Sequence, residues 1–290
     1  MTKLYQKLIK SSPSESEIRK GLKKISESLK EAPDKKLLMS ILNMIDLTSL
    51  NTTDNRSSII RFTGNVNSFA GKYKNIPNVA AICVFPNFVS VVREKLSVRN
   101  VRIAAVAGGF PTSQTFRTIK VTETKMAIDA GADEIDIVIP VGSFLGGDFD
   151  RVADEIREIK AVMGDKHLKV ILETGLLKEY ELIFRAAMIA MDAGADFIKT
   201  STGKTTVSAT PEAAYVMCLA IADFHAETGI KVGFKAAGGI VTAADAYNYY
   251  QIVSYCLGNE WLSNKLFRIG ASRLANNILT EISGCPGTHF

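Results

Sequence analysis

From residue 37 onward, short apolar runs alternate with longer stretches of helical periodicity, and this alternation constrains the fold more than any other feature of the chain. The runs cover residues 42–47, 79–85, 101–107, 134–139, 168–173, 197–200, 232–235 and 267–269. Helical candidates between them include 116–129, 149–163, 179–192, 211–228 and 243–257. The tetrapeptide Ala-Gly-Ala-Asp occurs at 130–133 and again at 193–196, each time as a helix exit, a glycine stop and a return to strand. Repeated strand–helix units predict a parallel sheet. Eight of them in about 250 residues predict an α/β TIM (β/α)8 barrel, with an open doubly wound sheet as the competing arrangement.

In such a barrel the chemistry sits at the C-terminal ends of the strands, so polar residues there become site candidates. Asp46 and Thr48 end the first run and Cys83 lies near the end of the second. Asp136 interrupts the fourth, Glu173-Thr174-Gly175 ends the fifth, Lys199 the sixth and Lys235 the seventh, and Gly270-Ala271-Ser272 follows the eighth. Strand side chains alternate between faces. In Ile135-Asp136-Ile137-Val138-Ile139 the isoleucines share one face, which leaves Asp136 on the lumen side. A buried carboxylate needs a partner or a proton, and two interior lysines would serve; a structural ion pair and a proton shuttle both fit.

Lys199 lies in Asp196-Phe197-Ile198-Lys199-Thr200-Ser201-Thr202-Gly203-Lys204, and Lys235 in Val232-Gly233-Phe234-Lys235-Ala236-Ala237-Gly238-Gly239. Two lysines at adjacent strand ends suit amine catalysis, in which an uncharged nitrogen attacks a carbonyl and the resulting Schiff base acts as an electron sink. With an ordinary pKa of about 10.4, only about 0.04% of lysine is neutral at pH 7; a useful nucleophile needs that value lowered by roughly 3, or roughly 4 kcal/mol. Desolvation and a second ammonium both push that way. A snorkelling or ion-paired lysine is the plainer alternative. Gly203-Lys204, Gly238-Gly239 and Gly270-Ala271-Ser272 all follow late strands, where backbone N–H groups and a helix N-terminus can cradle a phosphate. Together with the lysines they imply a phosphorylated small substrate.

Composition narrows the remaining classes. Lys plus Arg number 35 against 30 Asp plus Glu, a net +5, but residues 1–36 hold 10 against 5 and the rest of the chain balances at 25 against 25. The excess is a basic arm rather than a nucleic-acid surface, so no nucleic acid is expected. No uncharged apolar run reaches 18 residues, and the best candidate, 79–92, is broken by Pro86 and Asn87, so no membrane span is expected. The start of the chain has no apolar signal core, which favours the cytoplasm. Cys83, Cys218, Cys256 and Cys285 lack metal-ligand spacing and read as reduced, buried thiols. Residues 1–36 read as a helical extension and 37–290 as the barrel domain. In the extension, Ser12-Pro13-Ser14-Glu15 has capping-box spacing, and Ile18, Leu22, Ile25 and Leu29 follow at helical intervals up to Pro33.

The motifs Met44-Ile45-Asp46-Leu47-Thr48, Ala80-Ala81-Ile82-Cys83-Val84-Phe85-Pro86, Gly131-Ala132-Asp133-Glu134-Ile135-Asp136 and Lys169-Val170-Ile171-Leu172-Glu173-Thr174-Gly175, with the two lysine segments, resemble the deoxyribose-phosphate aldolase family over residues 40–280. The resemblance implies a class I aldolase that reversibly cleaves 2-deoxy-D-ribose 5-phosphate into acetaldehyde and D-glyceraldehyde 3-phosphate, with no metal and no organic cofactor. It implies Lys199 as the Schiff-base lysine, Lys235 as the neighbour that lowers its pKa, and Asp136 as proton donor and acceptor. Asp46 and Lys169 would support them, with Cys83 beside the site and Thr48 and Thr202 near the sugar hydroxyls. Gly203, Lys204, Gly238, Gly239, Gly270 and Ser272 would surround the phosphate. Three departures stand out: Val241 where an arginine is frequent, Arg273 where a second serine is common, and a terminus reading Thr288-His289-Phe290 without a tyrosine. Arg273 is expected either to replace the missing cation or to face solvent. Another Schiff-base lyase or transaldolase, and a non-catalytic phosphometabolite-binding barrel, are the competing functions; a homo-oligomer is left open.

Overall fold

The computed structural model describes residues 6–7, 9–28, 32–285, 287 and 289–290. Its centre is a closed barrel of eight parallel strands in chain order: β1 (Ile45–Thr48), β2 (Ala81–Val84), β3 (Arg102–Ala107), β4 (Glu134–Val138), β5 (His167–Ile171), β6 (Phe197–Lys199), β7 (Gly233–Ala237) and β8 (Phe267–Ala271). β8 closes on β1 with Asp46 opposite Gly270. Each strand is too short and too apolar to persist alone. Pairing on both edges satisfies its backbone, and the covering helices bury its outer face.

Alternation sorts the side chains into two layers. Ile45, Leu47, Ile82, Ile103, Ile135, Ile137, Val170, Ile198, Phe234 and Ile269 belong to the continuous core between barrel and helices. The lumen is divided in kind. On the β2–β3 side it is filled by Ala81, Cys83, Ala104 and Val106, capped by Leu50. From β4 round to β1 it carries charge instead, with Asp136 in register with Lys169, Lys199 with Lys235, and Lys235 with Arg268. The ring of Phe197 also points inward, and a Cβ on Gly233 would come within 2.3 Å of it, so the glycine makes room for that ring.

The strand boundaries correct two expectations. Residue 42 is not strand: Asp34 caps a helix, Lys35–Leu42, by accepting from the Leu37 amide at 2.7 Å, and Leu38, Ile41 and Leu42 form its buried face. The eighth strand runs past Ile269 to Ala271, so Gly270 lies within it. In the N-terminal extension the helix is Glu15–Ser28, and its capping pair is Ser14 with Glu17 rather than Ser12 with Glu15; the Ser14 amide donates to the Glu17 carboxylate at 2.8 Å. Ile18 and Ile25 are buried and Leu22 half-buried as that helix packs on Pro211–Thr228 and Ala243–Leu257, while Leu29 lies outside the described residues. Only Cys83 and Cys218 are fully buried; Cys256 is half-buried and Cys285 exposed, so the expectation of four buried thiols fails at the C-terminal end. Among the described residues no helix is long and apolar enough to cross a membrane.

Candidate active site

Six strands deliver seven buried charged groups into one hydrogen-bonded network. Asp136 on β4 is its hub: Oδ1 accepts from Lys169 Nζ at 2.8 Å, and Oδ2 accepts from both Lys199 Nζ and Lys235 Nζ at 2.8 Å. Lys169 also reaches Glu134 Oε2 at 2.7 Å. Lys235 donates a second bond to Asp46, whose other oxygen accepts from Arg268 Nη1, and Arg268 Nη2 returns to Glu134 Oε1 at 2.8 Å. Each ion is desolvated, so only this mutual pairing makes the cluster tolerable.

Lys199 and Lys235 differ in environment. Burial pulls Lys199 below the ordinary lysine value; Asp136 opposes this, and the Lys235 ammonium adds to it. Burial acts on Lys235 in the same direction, but Asp136 and Asp46 outweigh it and hold its proton firmly. Asp136 lies well below the usual carboxylate range because Lys169, Lys199 and Lys235 overcome the cost of its burial. One amine is thus poised to be neutral beside one that stays charged, the arrangement that activates a lysine nucleophile. Lys199 is also the member of the trio that lines the open pocket above the network.

That pocket, about 230 Å³ in volume, lies at the C-terminal ends of the strands and is lined by Thr48, Thr202, Gly203, Lys204, Gly238, Gly239, Gly270 and Ser272 together with Lys199. Asp46, Asp136, Lys169, Lys235 and Cys83 lie beneath it in the lumen, Cys83 with its thiol pushed up by burial. Thr48 donates to the Asp46 carbonyl at 2.8 Å, and Lys204 Nζ donates to the Leu50 carbonyl at 2.6 Å, which ties the loop after β6 across the mouth to the loop after β1. Thr202 is held by the residue that ends the fifth apolar run. Glu173, buried and in the left-handed region at φ 54°, accepts from the Thr202 hydroxyl and from the Thr202 amide at 3.2 Å.

The glycine loops differ in what they leave open. Gly238 and Gly239 adopt φ of +86° and +80°, and a Cβ on Gly238 would stand 2.5 Å from Ser208. The helix after β7, Ala243–Leu257, is closed by its own capping box: Asp245 accepts from Val241 N at 3.1 Å and from Thr242 N at 2.9 Å. The amides of Val241 and Thr242 are therefore already taken by a carboxylate, while Gly238 and Gly239 line the pocket. The helix after β8, Leu274–Ser283, has no side-chain cap, and Arg273, exposed and at its cap position, lines the pocket. At the C-terminus Phe290 stacks on Phe69 with centroids 5.0 Å apart, on the outside of the barrel, while Thr288 lies outside the described residues.

Glu134, Glu173 and Arg268 belong to the same interior; Glu173 was a strand-end candidate without an assigned role, and sequence reasoning did not single out Glu134 or Arg268. For Glu134 the signal was present, because it shares the lumen face with Asp136 two residues on. Arg268 alternates with Phe267 and Ile269 in the same way.

Comparison with known proteins accords with this geometry. The family described as DeoC/LacD family aldolase matches residues 40–251. A deoxyribose-phosphate aldolase of Homo sapiens is 42% identical over 84% of this chain and 80% of its own, and that of Bos taurus is 41% identical over the same shares. Among solved structures, a tetrameric deoxyribose phosphate aldolase from Aeropyrum pernix superimposes with a TM-score of 0.68 at 23% identity, covering 94% of this chain and 100% of that one; it speaks for the fold alone. A family match over most of the barrel, relatives above 40% identity across most of both chains, and an eight-stranded barrel with paired lumen lysines lead to one conclusion: the chain belongs to the DeoC/LacD family of aldolases.

Proposed function

We propose that the protein cleaves 2-deoxy-D-ribose 5-phosphate reversibly into acetaldehyde and D-glyceraldehyde 3-phosphate through a Schiff base on Lys199. The observation that carries this reading is the shared Asp136 carboxylate, which accepts from a lysine of lowered pKa and from one of raised pKa at the same oxygen. The neutral amine of Lys199 attacks C1 of the open-chain aldehyde, and the carbinolamine loses water to give a protonated iminium. Removal of the C3 hydroxyl proton then breaks the C2–C3 bond and releases D-glyceraldehyde 3-phosphate, with the electron pair drawn into the iminium as an enamine. Protonation at C2 and addition of water return acetaldehyde and the free lysine. Asp136, relaying protons through water, serves the proton steps, while Lys235 holds positive charge beside the nascent iminium and keeps Lys199 from retaining its own proton.

The pocket suits a short sugar phosphate, since 230 Å³ lies below the usual small-molecule range of about 300–1,000 Å³. Gly238, Gly239, Ser272 and the uncapped helix end form the phosphate side, with Lys204 and Arg273 as its cations. The test is reductive trapping. Borohydride with acetaldehyde should add an ethyl group to the peptide containing Lys199, and Lys199→Leu should lose both the adduct and cleavage while keeping its circular dichroism spectrum. An adduct formed at wild-type level in that variant would remove Lys199 from the role.

A further inference from the structure

The barrel has a second opening. At the N-terminal ends of the strands, opposite the catalytic mouth, a cavity of about 590 Å³ lies between the loop leading into β3, the starts of β4 and β5, and the loop leading into β8. Five cations and a histidine line it, against one acidic residue, Asp133. This is not a trace of the chain's overall charge, because residues 37–290 are balanced.

The positive charge is only partly compensated. Arg93 is committed to Asp133 at 2.8 Å and to the Gly131 carbonyl. Arg268 forms the floor and is committed to Asp46 and Glu134. Arg102, half of whose side chain is exposed at 52%, leans on Glu134 at only 3.5 Å. Among the described residues neither Arg99 nor Lys265 has an ion-pair partner, and both are exposed on the rim. Among the described residues, His167 Nδ1 is buried without a hydrogen-bond partner, 4.0 Å from Glu134.

We propose that this lower mouth is a second binding site, for a compact oligophosphate seated between Arg99, Arg102 and Lys265, with His167 and Arg268 beneath it. Two guanidinium forks match phosphate oxygens in pairs, and an ammonium adds a point charge. A single monoanion would leave the rim cations unmatched, whereas a di- or triphosphate neutralises them. The cavity exceeds the needs of a bare diphosphate, and Leu96 and Val98 give it an apolar wall against which a nucleoside could lie. The site lies at the opposite end of the barrel from the upper pocket and meets the lumen network at Arg268.

The full-length protein is titrated calorimetrically with inorganic pyrophosphate and, separately, with adenosine diphosphate. Arg99→Gln/Lys265→Gln should weaken pyrophosphate binding by about tenfold or more, the effect of losing charge-assisted hydrogen bonds, and should leave the melting temperature unchanged. Lys204→Gln, at the catalytic mouth, should leave this binding intact. Equal affinity for the two probes means that only the phosphates seat, and tighter binding of the nucleotide means that the apolar wall takes the nucleoside; either supports the site. Unchanged affinity in the double variant, or loss in Lys204→Gln alone, would overturn it and assign the binding to the catalytic pocket.

Discussion

On the proposed mechanism, Lys235→Leu isolates an electrostatic contribution to catalysis. Lys199 Nζ and Lys235 Nζ both stand 2.8 Å from Asp136 Oδ2, so they can be no more than twice that, about 5.6 Å, apart. At an effective dielectric constant of about 20, two like charges at that separation repel by about 3 kcal/mol. Removing one charge returns that amount to the protonated form of Lys199, and Asp136, with one cation fewer to neutralise it, pushes the same way. Since about 1.4 kcal/mol is tenfold, the neutral fraction of Lys199 at neutral pH should fall by about a hundredfold or more. The assay is kcat/KM for deoxyribose 5-phosphate from neutral to strongly alkaline pH, in parallel with the rate of borohydride trapping. The informative quantity is the ratio of alkaline to neutral rates within each protein, because it does not depend on how much of a destabilised variant is folded. That ratio should rise steeply in the variant. If activity falls by the same factor at every pH, the reasoning is wrong and Lys235 acts by position alone.

Arg273→Ala should lower kcat/KM by about tenfold or more for deoxyribose 5-phosphate and leave unphosphorylated deoxyribose unchanged, as expected for a lost charge-assisted bond; equal effects on both would place the guanidinium in solvent. Arg268→Met leaves Asp46 and Glu134 short of a buried partner, which should cost about 3–5 kcal/mol and lower the melting temperature by about 10 °C, whereas a change under about 2 °C would mean that the guanidinium contributes no net stability. Asp46, Glu134 and Asp136 all lie below the ordinary carboxylate range in the folded protein, so below about pH 4 the unfolded chain binds more protons than the folded one. Their stabilisation is therefore complete above that value and lost as pH falls toward the folded values. Urea unfolding across this range should show a steadily declining free energy, and a flat profile would contradict the depressed values.

The barrel was legible because each strand is an apolar run bounded by a helix exit, and Asp136 stood out because isoleucines flank it on a fixed period. The first strand shows the limit of that signal. Leu38, Ile41 and Leu42 are as apolar as any strand, and Asp34, not hydrophobicity, decides that they wind into a helix. Lys199 and Lys235 were expected together from their place at strand ends, and the structure brings both onto Asp136. The pairing of Glu134 with Arg268 was not readable because it joins residues 134 positions apart, which local periodicity cannot connect. Glu173 was visible as a strand end, yet its grip on Thr202 depends on a left-handed backbone that no pattern in the neighbouring residues announces.

Counted as ions, the hydrogen-bonded network in the lumen has an odd membership. Lys169, Lys199, Lys235 and Arg268 face Asp46, Glu134 and Asp136, four potential cations against three anions, all buried. The interior is electrically even only when one lysine gives up its proton. Lys199 is the member next to open space and, among the described residues, has a single carboxylate partner, so it is the lysine least held to its proton. The parity of the ring thus works in the same direction as burial, toward a neutral nitrogen on Lys199, and on the proposed mechanism forming the protonated iminium makes the count uneven. On this view a substitution anywhere in the ring that changes the count by one, even at the foot of the barrel far from the upper pocket, resets which charge state Lys199 prefers.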